Sequence, residues 1–202
     1  MNKEFYLVRH AESMGNTGMD GGYDPALSPL GYAQAKQCAE NLKQFCEKDT
    51  LLFSSPFERC IMTAEAIAEA TGLKVTIMPA LHEYFNKESF PIHKIKLKSI
   101  KEKASRHHFL TGIYDDSQWW PEKNETLEDL KIRMAMFRNQ ITGPRFPVSK
   151  IVCVGHLPSL LALAEAMVPD EIFRFPNAGI KKINYINGKF SSEFINELCL
   201  QD

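Results

Sequence analysis

Apolar residues recur along this chain in short β-type runs that alternate with stretches of helical spacing. Residues 4–8 (Glu-Phe-Tyr-Leu-Val) form the first run and predict a strand. A loop rich in Gly, Asp and Asn follows over 14–26. Ser28-Pro29 then supplies a helix N-cap with proline at the first helical position. Ala35, Cys38, Ala39, Leu42 and Phe45 share one face of that helix. Thr50 to Phe53 predicts a second strand, and Ser55-Pro56 repeats the cap-and-proline signal. Cys60, Ala64, Ile67 and Ala68 mark a second helix, stopped by Gly72. Lys74 to Met78 predicts a third strand bounded by Pro79. Thr126 caps a helix with Leu127, Leu130, Met134, Phe137 and Ile141 on one face, ended by Gly143-Pro144. Residues 151–154 (Ile-Val-Cys-Val) are wholly apolar, as in a central parallel strand. They run through Gly155-His156-Leu157-Pro158 into another apolar helix, and a hairpin over 180–195 turns at Asn187-Gly188.

Strands alternating with helices predict an α/β fold, a three-layer α/β/α sandwich with a mostly parallel central sheet and an antiparallel edge. The stretch 84–125 breaks the rhythm. Its Lys-rich part, 94–106, carries both two-residue and helical periodicity, and Trp119-Trp120-Pro121 follows a polar loop. An insertion of this length between core elements reads as a lid or substrate-binding loop. Trp119 and Trp120 either line a pocket or pack beneath the insertion. The lysine cluster reads as a solvated face, with steering of anionic substrates as the alternative.

Length and composition narrow the classes. A chain of 202 residues holds one sizeable core, and one domain over 1–202 is expected. With 44% apolar residues and a net charge of −1, it lacks the basic excess of a nucleic-acid or membrane binder. No apolar stretch reaches membrane-spanning length and no signal-type segment opens the chain, so a cytoplasmic location is expected. The five cysteines (Cys38, Cys46, Cys60, Cys153, Cys199) show no CxxC spacing and read as core thiols. Neither these nor His82, His93, His107 and His108 form a metal-ligand spacing, so no metal and no cofactor is expected.

The candidate chemistry lies just after the strands, at the sheet edge where ligands bind in open α/β folds. Arg9-His10, Ser55 to Arg59, Glu83 and Gly155-His156 all fall there. Two arginines, two histidines and a carboxyl suit phosphoryl transfer, since the guanidinium fork matches phosphate oxygens. Glu88 stands near Glu83 as a rival acid, and Glu12 reads as a bracing residue.

These residues resemble the histidine phosphatase superfamily, the group that includes phosphoglycerate mutases. Arg9-His10-Ala11-Glu12-Ser13 with Asn16 resembles its Arg-His-Gly signature, with Ala11 in place of glycine. Leu27-Ser28-Pro29-Leu30-Gly31, the Ser55-Pro56 to Thr63-Ala64 block, Leu81-His82-Glu83 and Val154-Gly155-His156 follow in the family's order. Asn124-Glu125-Thr126 and Pro176-Asn177-Ala178 are weaker echoes, and 84–123 is unmatched.

The resemblance implies a phosphoglycerate mutase-like fold and a metal-independent phosphomonoesterase. His10 would be the nucleophile, with Arg9, Arg59 and His156 around the phosphoryl group and Glu83 as general acid and base. Asn16, Ser13 and the backbone N–H of Leu157 would bind substrate. Glu83 would need a raised pKa to act as an acid near neutrality. The substrate would be a small phosphorylated metabolite or a phosphorylated protein. Mutase-type transfer, or an inactive phosphate-binding protein, are the alternatives. The mutases' Trp-Asn and Phe-Thr-Gly-Trp segments are absent, and Tyr84 stands where they hold a carboxylate-binding arginine. These departures favour water as the acceptor.

Overall fold

A computed structural model describes residues 2–18, 22–88 and 90–193. Six strands form one sheet in the order β3-β2-β4-β1-β5-β6: β1 (Lys3–Arg9), β2 (Leu51–Ser54), β3 (Val75–Ile77), β4 (Lys150–Gly155), β5 (Ile180–Ile186) and β6 (Lys189–Glu193). The first four are parallel to one another, while β5 runs antiparallel to β1 and β6 antiparallel to β5. The hairpin turns where expected, with Asn187 at φ 51° and Gly188 at φ 82°. Positions 194–195 of the expected hairpin, and Cys199, lie outside the described residues.

Side-chain alternation along the strands builds two cores. Tyr6, Val8, Leu52, Val152 and Val154 face the helices α1 (Pro29–Lys43) and α2 (Glu58–Thr71). Phe5, Leu7, Phe53, Ile151 and Cys153 face the other way. After the short α3 (Ile100–Ala104), that second layer is covered by α4 (Leu127–Thr142) and α5 (Leu157–Met167). Among the described residues no helix is long and apolar enough to cross a membrane.

Local signals explain most boundaries. Ser28 Oγ accepts from Gly31 N–H at 2.9 Å, and Thr126 with Asp129 forms a capping box. Gly72 ends α2 at φ 76°. Two expectations are corrected. Ser55 does not cap α2, which starts at Glu58 with Phe57 at the cap position; Asp24 accepts the Glu58 N–H at 2.7 Å instead. Phe45 lies beyond α1, in a turn that still stacks it on Tyr6 at 5.5 Å.

Gly31 allows α1 to press on the loop after β1. A Cβ there would stand 1.9 Å from the carbonyl oxygen of Glu12. The contact is completed by Glu12 N–H donating to Gln34 Oε1 at 2.9 Å and Ser28 Oγ donating to Glu12 Oε1 at 2.6 Å. Glu12 is thereby a brace, as its sequence context suggests.

Candidate active site

Parallel pairing of β1 with β4 aligns Arg9 with Gly155, so the next residues, His10 and His156, emerge side by side. His10 N–H donates to Gly155 O at 3.0 Å, and the two imidazole rings lie 5.3 Å apart, edge to face. Next to β4, β2 leads into α2, whose first turn carries Arg59. Beyond it, β3 leads through a 3-10 turn at Pro79–Leu81 to Glu83. Four strand ends therefore deliver the four groups to one edge.

His10 is 4% exposed, and its Nδ1 stands 2.8 Å from Ala11 O. A carbonyl only accepts, so Nδ1 carries the ring proton and Nε2 keeps its lone pair. Arg59 Nε donates toward that Nε2 at 3.3 Å. Burial first, then the neighbouring Arg59 charge, pushes His10 well below the ordinary histidine value. The methyl group of Ala11 packs into the core, and its N–H donates to Thr63 Oγ1 at 3.1 Å. Alanine is therefore accommodated where the signature has glycine.

Arg59 spreads its fork over three partners. Besides His10, its Nη2 lies 3.2 Å from Glu83 Oε2 and 3.1 Å from His156 Nδ1. Glu83 Oε2 is also 3.2 Å from His156 Nδ1, and Tyr84 N–H donates to Glu83 Oε1 at 2.9 Å. Burial pushes the Glu83 carboxyl up, but His156, Arg59 and the Tyr84 N–H together hold it below the usual range. The raised value expected from the sequence is therefore corrected for the side chains as they stand. His156 is fully buried, and burial lowers it to about 4. Ser55 Oγ meets its Nε2 at 2.8 Å.

A pocket of about 300 Å³ opens above His10. Arg9, His10, Asn16, Arg59, Glu83 and Leu157 line it, while His156 sits behind them. Arg9 Nη1 donates to Phe175 O at 2.9 Å, whereas its buried Nε has no partner among the described residues. Asn16 Oδ1 accepts from Ser13 N–H and Ser13 Oγ, both at 3.0 Å, which leaves the Asn16 amide NH2 as its donor toward a ligand. Ser13 lines the pocket too, with its hydroxyl spent on Asn16. Leu157 opens α5, at the helix end where backbone N–H groups await acceptors.

All eight residues singled out in the sequence thus converge, and the rival Glu88 is exposed on a different part of the surface. Trp119 packs beneath the insertion, its Nε1 donating to Lys98 O at 2.9 Å, and neither tryptophan lines the pocket. The lysine cluster is a solvated face, with one correction: Lys103 is fully buried and paired with Asp24.

Several supports went unread in the sequence. Arg133 grips Glu125 at 2.7 and 2.9 Å and donates to the carbonyls of Ala80 and His82, which fixes the segment bearing Glu83. Asn177 donates to His10 O at 3.2 Å. Only the weak Asn124-Glu125-Thr126 and Pro176-Asn177-Ala178 echoes signalled either one. Tyr23 and Phe90, which complete the pocket, left no signal beyond being aromatic.

The sequence profile of the histidine phosphatase superfamily (branch 1) matches residues 5–198. "Putative phosphoserine phosphatase 2" of Hydrogenobacter thermophilus is 27% identical over 203 residues, which cover 98% of this chain and 97% of the relative. "Probable phosphoglycerate mutase GpmB" of Proteus mirabilis is 28% identical over 192 residues, covering 91% of this chain and 86% of the relative. Among solved structures, a mycobacterial glucosyl-3-phosphoglycerate phosphatase gives a TM-score of 0.69 at 21% identity, over 98% of this chain and 100% of that one. An ecdysone phosphate phosphatase from Bombix mori gives 0.75 at 15% identity, over 99% and 95%. At those identities the two structures speak for the fold.

Proposed function

The chain belongs to branch 1 of the histidine phosphatase superfamily and is a phosphatase of that superfamily, and on that premise we propose that it hydrolyses small phosphomonoesters without a metal ion, through a phosphohistidine on His10. The observation that carries this reading is the His10 ring itself. Its Nδ1 is committed to Ala11 O at 2.8 Å, and its Nε2 faces the guanidinium of Arg59 at 3.3 Å. A neutral imidazole nitrogen beside a fixed cation is what attack on an anionic phosphoryl group needs.

In the first step His10 Nε2 bonds to phosphorus and the ester P–O bond breaks, with Glu83 giving a proton to the leaving oxygen. In the second, water attacks the phosphohistidine, Glu83 takes its proton, and the N–P bond breaks to leave inorganic phosphate. Arg9 and Arg59 hold the equatorial oxygens, with Asn16 and the Leu157 N–H as further donors. Ser13 orients Asn16. His156 fixes the positions of Arg59 and Glu83 from behind.

The low carboxyl of Glu83 fits this cycle. A phosphoryl dianion seated on the arginines competes with Glu83 for Arg59 and sets negative charge beside it. Both effects raise the carboxyl toward the protonated form that the first step uses.

We read 1–202 as one domain of this kind, with 84–125 shaping the substrate side. A pocket of about 300 Å³ favours a small metabolite over a folded phosphoprotein. Tyr84 does not line that pocket, which favours water over a carboxylate-bearing acceptor of the mutase type. A cytoplasmic location accords with Cys46, Cys60 and Cys153 as free thiols. The experiment is phosphate release from phenyl phosphate in the presence of a chelator. Turnover by the wild type and its loss in His10→Ala are expected; activity that collapses with the chelator contradicts the reading.

A further inference from the structure

The pocket lining holds two unlike kinds of residue. Arg9, His10, Asn16 and Arg59 are polar or charged, whereas Tyr23, Pro25 and Phe90 offer aromatic and apolar surface. The rings of Tyr23 and Phe90 meet edge to face at 5.4 Å. Phe90 in turn packs on Phe57 at 5.6 Å and Phe85 at 5.4 Å, both fully buried. This aromatic surface is therefore anchored in the core, although Phe90 belongs to the inserted stretch.

Charge separates the two kinds further. Arg9 and Arg59 are the only cationic side chains among the described lining residues, and the phosphoryl group needs both. The remaining residues of the chain, Met1, 19–21, 89 and 194–202, include no Lys, Arg or His. Within 94–106, the buried Lys103 is committed to Asp24 and Glu58, and Lys94, Lys96, Lys98, Lys101 and Arg106 are exposed away from the pocket. A carboxylate next to the ester oxygen would find Glu83 and aromatic carbon, with no cation left to meet it. A flat uncharged group would find edges and faces to stack on.

We propose that the substrate's leaving group is an uncharged aromatic alcohol seated against Tyr23 and Phe90. This rests on the phosphatase reading above and names the substrate class for the same pocket.

Benzyl phosphate, O-phosphoserine and 3-phosphoglycerate are all alkyl esters, so their comparison removes most differences in intrinsic leaving-group reactivity. The kcat/KM for benzyl phosphate should exceed both acids by about tenfold or more. Tyr23→Ala and Phe90→Ala should each raise its KM by about tenfold, with Phe90→Leu as a variant that keeps apolar volume. Ethyl phosphate should respond to these changes by about twofold at most. Equal or better turnover of either acid overturns the inference, as does an unchanged KM for benzyl phosphate in all three variants. Calorimetric binding to His10→Ala separates this from the chemistry. If no ester is hydrolysed by the wild type, the phosphatase reading fails. Tighter binding of benzyl phosphate than of 3-phosphoglycerate would still support the aromatic subsite, and equal affinity would overturn it.

Discussion

Arg59 Nε aims at His10 Nε2 across 3.3 Å, so the unprotonated nitrogen of the imidazole and a guanidinium of the pocket face each other directly. A protonated Nε2 could not accept that contact, and burial adds to the penalty. His10 should therefore stay neutral well below pH 6.5, its ordinary value. The acid limb of kcat/KM should fall below the range of a free imidazole. The sign follows for stability as well: below 6.5 the unfolded chain binds the proton that folded His10 refuses, so stability declines as pH drops. A pH–rate profile with its acid limb centred at an ordinary histidine value would contradict this.

Arg59 serves His10, Glu83 and His156 at once, with contacts of 3.3, 3.2 and 3.1 Å. A lysine carries the charge but not the planar fork. Arg59→Lys should lower kcat by about a hundredfold or more while leaving the fold intact. Steady-state kinetics with circular dichroism on the same sample checks both halves of the expectation.

Ser55 opens the candidate segment Ser55 to Arg59 and carries a helix-cap signal, yet its hydroxyl reaches His156 Nε2 at 2.8 Å, with both groups fully buried. Ser55→Ala leaves that nitrogen with the Cys60 sulfur, 3.4 Å away, as a weaker partner. The variant should lose about 1–3 kcal/mol of stability in denaturant titration. Its kcat should fall more than its KM rises, because His156 no longer fixes Glu83.

The sequence exposed what is periodic or local. Strands, caps and the Asn187-Gly188 turn follow from apolar spacing and turn chemistry, and the strand-end residues were readable because each follows a short β run. Ser55 misled because Ser-Pro signals a cap, whereas the choice between capping and bonding His156 depends on a residue 101 positions away. Lys103 misled for the same reason. Its run looks solvated, but Asp24 from the loop after β1 and Glu58 from the start of α2 receive it. Glu83 was found by its place after β3, while its low carboxyl depends on Arg59 and His156 from other elements.

Gly31 has no freedom to grow. Gly31→Ala drives a Cβ to 1.9 Å from Glu12 O, a backbone atom that cannot move without shifting the loop bearing Ser13 and Asn16. A loss of about 1–3 kcal/mol or more is expected, together with a raised KM. Thermal unfolding and steady-state kinetics measure the two effects.

The central claim concerns one bond, between His10 Nε2 and phosphorus. Rapid quenching of the wild-type protein during turnover of an isotopically labelled phosphomonoester, followed by peptide mapping, reads it directly. The account predicts one acid-labile, base-stable phosphoryl group on the peptide containing His10, and none in His10→Ala. Turnover with no labelled peptide, or a label on another residue, would contradict it.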